Sequence, residues 1–303
     1  VSAGRLVIHV GLPKAASSAL QFWCDAQRTR LLAEGVDYPD PRSPHLMRKH
    51  SRLVPELLDG HADTLAQDVA ASRSPTVLVS NEGFSVRYPA FSRQARPALI
   101  AAAGGRRITL FLISRESGPW LRSLWAQGIL DAPMQGRPPM TDAFESFAAR
   151  PETQRMLDLP AVAAGMQAMT GADQVVQATA EGDWLGALLS LLGVAPRPDD
   201  APPRAHRAAP AHTIELVRRV MAQAGDQPGP VRMALLAAIE ADAPTGNVTI
   251  ANTALGFARR SERQQQQAAR RLAESLRRVS PDAGEMAALH ATICAWAAAR
   301  MGS

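Results

Sequence analysis

The sequence predicts an α/β fold: a central, mainly parallel sheet flanked by helices, with a helical extension at the C-terminus. Three observations carry this. Four short apolar runs are separated by helix-length stretches, the pattern of crossovers between parallel strands. The runs are short and mainly apolar, as expected of strands covered on both faces. Beyond residue 212 no such run recurs, and helix-like segments follow one another to the end. A chain of 303 residues, 46% hydrophobic, can bury the core this needs.

Taken in order, Arg5-Leu-Val-Ile-His-Val10 is the first strand. A helix is expected from Ser17 to Glu34, with Gly35 in the position that ends helices. Residues 45–72 read as helical and polar, broken near Gly60. Thr76-Val-Leu-Val-Ser80 is the second strand, introduced by Pro75, and residues 92–103 form a helix stopped by Gly104-Gly105. Arg107–Ile113 is the third strand, and the next helix is expected to start near Pro119, a residue suited to a first helical turn. Asp173–Ala178 is the fourth strand, followed by a helix from Trp184 to Leu192 and Gly193. The Pro-, Arg- and Ala-rich stretch at 196–210 reads as a linker. The expected organisation is thus a core over 1–195, a linker over 196–211 and a helical subdomain over 212–303 packed on that core, with breaks near Gly225–Pro228 and Pro244–Gly246.

The net charge of +5 suits an anionic ligand without requiring nucleic acid, and no zinc-finger spacing, nucleic-acid signature or long basic tract is present. Cys24 and Cys294 lie far apart and outside any CxxC, so free thiols and a reducing, cytoplasmic location are expected. No apolar run reaches the 18 residues a membrane span needs, and no metal cluster is evident.

Of the 33 basic residues only Lys14 and Lys49 are lysines. Lys14 stands in Gly11-Leu-Pro-Lys-Ala15-Ala16-Ser17-Ser18, between the first strand and its helix. A helix start offers unpaired N–H groups and a positive dipole end, and an anion placed there gains from both. Gly11 gives a sharp exit from the strand, Ser17 and Ser18 add hydroxyls, and Lys14 adds a compact charge. The loop is not a Walker A motif, which needs glycine and lysine directly before the hydroxyl residue. From the loop alone, an anion site and a plain strand–loop–helix with a capping serine fit equally. A second group tips the balance. Arg115 ends the third strand and Ser123 follows eight residues later, at the sheet edge where open α/β sheets bind ligands. An Arg115–Glu116 pair beside a surface serine is the plainer alternative.

Together these elements resemble the sulfotransferases that use 3′-phosphoadenosine 5′-phosphosulfate (PAPS), in particular their bacterial members. Pro13-Lys14-Ala15-Ala16-Ser17-Ser18 is similar to that family's first motif, and the spacing of Arg115 and Ser123 to its second. The resemblance covers roughly residues 5–130. It implies a P-loop-like fold in which Lys14 contacts the leaving phosphate oxygens. Ser17 and Ser18 would bind the 5′-phosphate, within a loop of Gly11, Ala15 and Ala16, and Arg115 with Ser123 the 3′-phosphate. It implies PAPS as donor, 3′,5′-ADP as product and no required metal. Two departures stand out: the family's loop glycine is Ala16 here, and its adenine-stacking aromatic would fall at Ala19.

An alcohol acceptor needs a proton acceptor. Glu82, just past the second strand, is the leading candidate, against the plain alternative of an exposed turn glutamate. His45 and His50 are alternatives, each better explained as a surface residue. His9, inside the first strand, reads as a buried and satisfied histidine. Arg48, Lys49 and Arg52 read first as a solvated helix face, and second, with Arg87, as a recognition group for an acidic or sugar acceptor. The expected activity is O-sulfation of a saccharide or small metabolite, with homodimer formation left open. The rivals are a P-loop nucleotide kinase and, from another class, a noncatalytic nucleotide-binding module.

Overall fold

A computed structural model describes residues 4–41, 48–131, 138–202, 208–226 and 228–301. The elements run β1 (Arg5–His9), α1 (Ser17–Ala26), α2 (Arg28–Ala33), β2 (Val36–Asp37), α3 (Leu53–Asp59), α4 (Asp63–Ala71), β3 (Thr76–Ser80), α5 (Gly83–Arg87), α6 (Ala95–Ala102), β4 (Arg107–Ser114), α7 (Ser117–Leu130), α8 (Phe144–Ala148), α9 (Pro151–Leu157), α10 (Leu159–Thr170), β5 (Gln174–Thr179) and α11 (Trp184–Leu192). Five helices follow: α12 (Ala211–Ala222), α13 (Pro228–Asp242), α14 (Val248–Ala258), α15 (Glu262–Leu276) and α16 (Glu285–Met301). The chain divides into two compact units, Val1–Trp120 with Ala149–Ala205, and Leu121–Ala148 with His206–Ser303.

The first unit is built on a five-stranded sheet of order β2-β3-β1-β4-β5, every pairing parallel. The three central strands are the apolar runs of the sequence. Leu6, Ile8, Val77, Val79, Leu110 and Leu112 face one way into a core shared with Leu57, Leu65, Leu99, Val162 and Met166. Val7, Leu78 and Phe111, which alternate with them, are buried as well. Both faces are covered, which is why these strands carry no polar alternation. From β1 the chain crosses toward the β2 edge, and from β4 toward the β5 edge. The order therefore reverses between β1 and β4, and at such a switch point open α/β sheets take ligands.

Several local expectations change. The helix expected over 17–34 is two helices, separated at Gln27. Residues 48–52 precede α3 as a non-helical turn, with Arg48 at φ 43°, so the three basic residues there are not one helix face. The helix after β4 starts at Ser117, and Pro119 is its third residue. The two-residue strand β2 and the short helix α5 had no sequence signal long enough to read.

The second unit is helical among its described residues. Its core gathers Leu130, Leu216, Val220, Leu235, Ile239, Leu272 and Ile293. Asn247 caps α14, and Ser261 with Gln264 forms a capping box on α15. The expected breaks near 225–228 and 244–246 are present, and two more fall at 259–261 and 277–284. No helix among the described residues is long and apolar enough to cross a membrane.

Candidate anion-binding site at the end of the first strand

The turn from β1 into α1 is tied down by its carbonyl groups. The Gly11 carbonyl accepts from Ser85 Oγ at 3.1 Å, that of Leu12 from the Ala15 N–H at 3.1 Å, and that of Pro13 from Trp120 Nε1 at 2.7 Å. Trp120 is buried and so bolts the loop from behind. Val10 and Leu12 extend the ladder, donating to the carbonyls of Phe111 and Ile113 at 3.0 and 2.9 Å. The N–H groups of Leu12 and Ala15 are engaged within this turn, and Pro13 has none. No side chain caps α1, whose first turn therefore leaves the N–H groups of Ser17, Ser18 and Ala19 without intrahelical partners.

This conformation is strained. Lys14 and Ala16 are left-handed, at φ 63° and 60°, where a residue with a Cβ pays about 1–2 kcal/mol. Such strain persists where the surroundings fix it, and it concentrates at ligand clamps. Ala16 stands where the resemblance to the sulfotransferase motif expects a glycine, and its backbone lies in the left-handed region that glycine favours.

Two buried polar atoms at the loop have no partner: Nε2 of His9, which is fully buried, and Oγ of Ser17, which is 5% exposed. A Cβ on Gly11 would stand 2.6 Å from the first and 3.2 Å from the second. Gly11 is thus required by space, and both atoms border the gap it leaves. His9 is buried as the sequence suggested, but only half satisfied. Its Nδ1 lies 2.8 Å from Ser80 Oγ on the neighbouring strand, while Nε2 is orphaned.

Ser80 continues into a polar chain. Gln21 Nε2, on α1, donates to Ser80 Oγ at 3.1 Å and to Glu82 Oε2 at 2.9 Å, and Lys49 Nζ donates to Glu82 Oε1 at 2.9 Å. Glu82 is mostly buried rather than an exposed turn residue, its side chain 23% exposed. Burial pushes its carboxyl up, but the Lys49 charge and the hydrogen bonds from Lys49 and Gln21 outweigh that and hold it below the usual range. It is ionised at neutral pH, and its pairing with Lys49 makes it a weak proton acceptor. His50 is also buried rather than on the surface. Its Nδ1 accepts the Ser80 N–H at 3.1 Å, its ring meets Tyr38 edge-on, and burial pushes it down to about 4. His45 lies outside the described residues.

Arg115 leaves β4 beside this loop, since β1 and β4 are adjacent and parallel. Its partner is Glu181, at 3.1 Å, and not Glu116. Ser123 lies on α7, in the part assigned to the second unit. The remaining basic residues of the 48–52 turn have local partners. Arg48 pairs with Asp25 at 3.1 Å and lies over the Phe22 ring, and Arg52 faces Glu56 at 3.8 Å.

Sequence reasoning missed Gln21, Ser80 and Ser85, which carry the network. The scarcity of lysine was a signal for Lys49 that went unused: both lysines of the chain lie near the ends of β1 and β3. Comparison with family models, curated proteins and solved structures finds no match to this chain.

Proposed function

We propose that the chain is a sulfotransferase that moves a sulfuryl group from PAPS to a hydroxyl of a saccharide or small metabolite, releasing 3′,5′-ADP. One observation supports the reading: the turns that carry Lys14 and Arg115 leave neighbouring parallel strands at the switch point of the sheet, the first of them an uncapped helix start with buried, unpartnered polar atoms. The first turn fits a phosphate group, because it combines free N–H groups, a hydroxyl and a gap that a Cβ would fill.

The donor supplies an activated sulfuryl group, and in-line transfer asks for alignment and charge stabilisation. Lys14 meets negative charge on the leaving phosphate side. Ser17, Ser18 and the first-turn N–H groups hold the 5′-phosphate, and Arg115 takes the 3′-phosphate in exchange for Glu181. Glu82 is the candidate acceptor of the hydroxyl proton, once an acceptor alcohol displaces Lys49 from one carboxylate oxygen.

A second reading has its own support. The engaged state of Glu82 suits a noncatalytic nucleotide-binding module, which needs no base. Calorimetric titration with 3′,5′-ADP, 5′-ADP and ATP, with and without magnesium, tests both together with the kinase alternative. The sulfotransferase reading expects magnesium-independent preference for 3′,5′-ADP, and sulfate transfer to a hydroxyl acceptor from labelled PAPS. Preference for ATP with magnesium contradicts it. Binding of 3′,5′-ADP with no transfer to any acceptor screened leaves the module.

A further inference from the structure

We infer that His9 is a binding residue of the first cradle: its Nε2–H, together with the Ser17 hydroxyl, donates to an oxygen of a tetrahedral oxyanion held at the start of α1. The inference rests on the reading that this loop holds an anion, and it adds a residue that neither motif contains.

The proton position follows from the network. Glu82 is a carboxylate and only accepts, so the Gln21 group facing it is the amide NH2. The second hydrogen of that NH2 goes to Ser80 Oγ. Ser80 then has its own hydroxyl proton to place, and Nδ1 of His9, at 2.8 Å, is the acceptor in reach. Nδ1 therefore accepts, and a neutral imidazole carries its hydrogen on Nε2. Burial pushes His9 down to about 4, against the opposing influence of Glu82, so the ring is neutral at physiological pH. The order set by the Lys49–Glu82 pair ends in one N–H pointing at the gap beside Gly11.

That N–H and the Ser17 hydroxyl are both more than nine-tenths buried and unpartnered. A buried donor left unmade costs about 1–3 kcal/mol, so two of them at one gap call for a ligand. The gap lies beside Ser17, in the uncapped first turn of α1, and an occupant there must accept from several donors at once. A phosphate or sulfate oxygen does this. The neutral ring supplies direction, while the compact charge is left to Lys14.

The test uses the full chain and inorganic pyrophosphate. Side-chain 15N NMR of histidine-labelled protein, assigned through a His9 variant, is expected to show His9 as the Nε2–H tautomer, with that proton moving downfield on saturation. A glutamine places its amide near Nε2, whereas an asparagine reaches only the Nδ1 position. His9→Gln should keep pyrophosphate affinity within about threefold, and His9→Asn should lose about tenfold or more. An Nδ1–H tautomer, an unmoved resonance, or equal affinities in the two variants overturns the inference. If pyrophosphate binds through His9 while 3′,5′-ADP is not preferred over 5′-ADP, the inference stands and the sulfotransferase reading falls. The reverse pattern removes His9 alone.

Discussion

The two turns that leave β1 and β4 lie side by side, yet they present an anion with opposite kinds of surface. The β1 turn is buried and strained: two left-handed non-glycine residues, carbonyls bound from behind, and polar atoms waiting without partners. The β4 turn offers one arginine, its side chain 35% exposed and already paired with Glu181. On the proposed reading, recognition in the first is fixed by geometry before any ligand arrives. In the second, it is an exchange of one ion-pair partner for another, which solvent and salt weaken. Under the proposed function the contrast gives one nucleotide a rigid end and an adjustable end, and the two should respond differently to mutation, pH and salt.

The largest expected difference is in pH. His9 and His50 flank Ser80 under the rigid turn, and both are pushed from 6.5 to about 4 by burial. Their folded values lie below the unfolded ones, so the stability they contribute is complete above about pH 6.5 and is lost as pH falls toward 4. The loss is roughly 3 kcal/mol for each histidine. Urea unfolding across this range should show the midpoint dropping steeply below pH 6.5, and a flat profile down to pH 4 would remove the neutral, buried histidines from the account.

Next comes Gly11→Ala. The new Cβ meets His9 Nε2 at 2.6 Å, and overpacking of this kind costs about 1–3 kcal/mol. Pyrophosphate binding should weaken by more than about tenfold, because the gap itself is filled. Unchanged affinity would mean that the anion sits elsewhere. The adjustable end calls for a smaller effect. Glu181→Gln frees Arg115 and should raise 3′,5′-ADP affinity about threefold at low ionic strength, fading near 1 M salt. A gain that survives high salt would contradict the picture of an exposed, screened pair. Smallest is Ala16→Gly. Relief at φ 60° exceeds the added freedom of the unfolded chain, so stability should rise by about 0.5 kcal/mol, with anion binding kept.

The difference between the turns also marks what the sequence made legible. The central strands were plain, because a parallel strand covered on both faces is apolar through its middle, as Leu6-Val-Ile8 and Leu110-Phe-Leu-Ile113 are. Ala16 announced the strain of its loop by standing where a glycine was expected. The supporting chemistry was hidden because it joins distant residues: Lys49 to Glu82, Gln21 to Ser80, Trp120 to Pro13. No local pattern marks such pairs, since each forms only when a helix or turn lies against the sheet edge. Arg115 was found by its strand-end position, but its partner, Glu181, follows β5, and only the pairing of β4 with β5 brings it near.

The central claim is that two separate cradles hold two ends of one nucleotide. It is tested most directly by measuring 3′,5′-ADP and 5′-ADP affinity in the unaltered chain and in Arg115→Ala. The account predicts a loss of about tenfold for 3′,5′-ADP and a change within about twofold for 5′-ADP, which lacks the phosphate that Arg115 would hold. Equal losses for both nucleotides, or none for either, would contradict it.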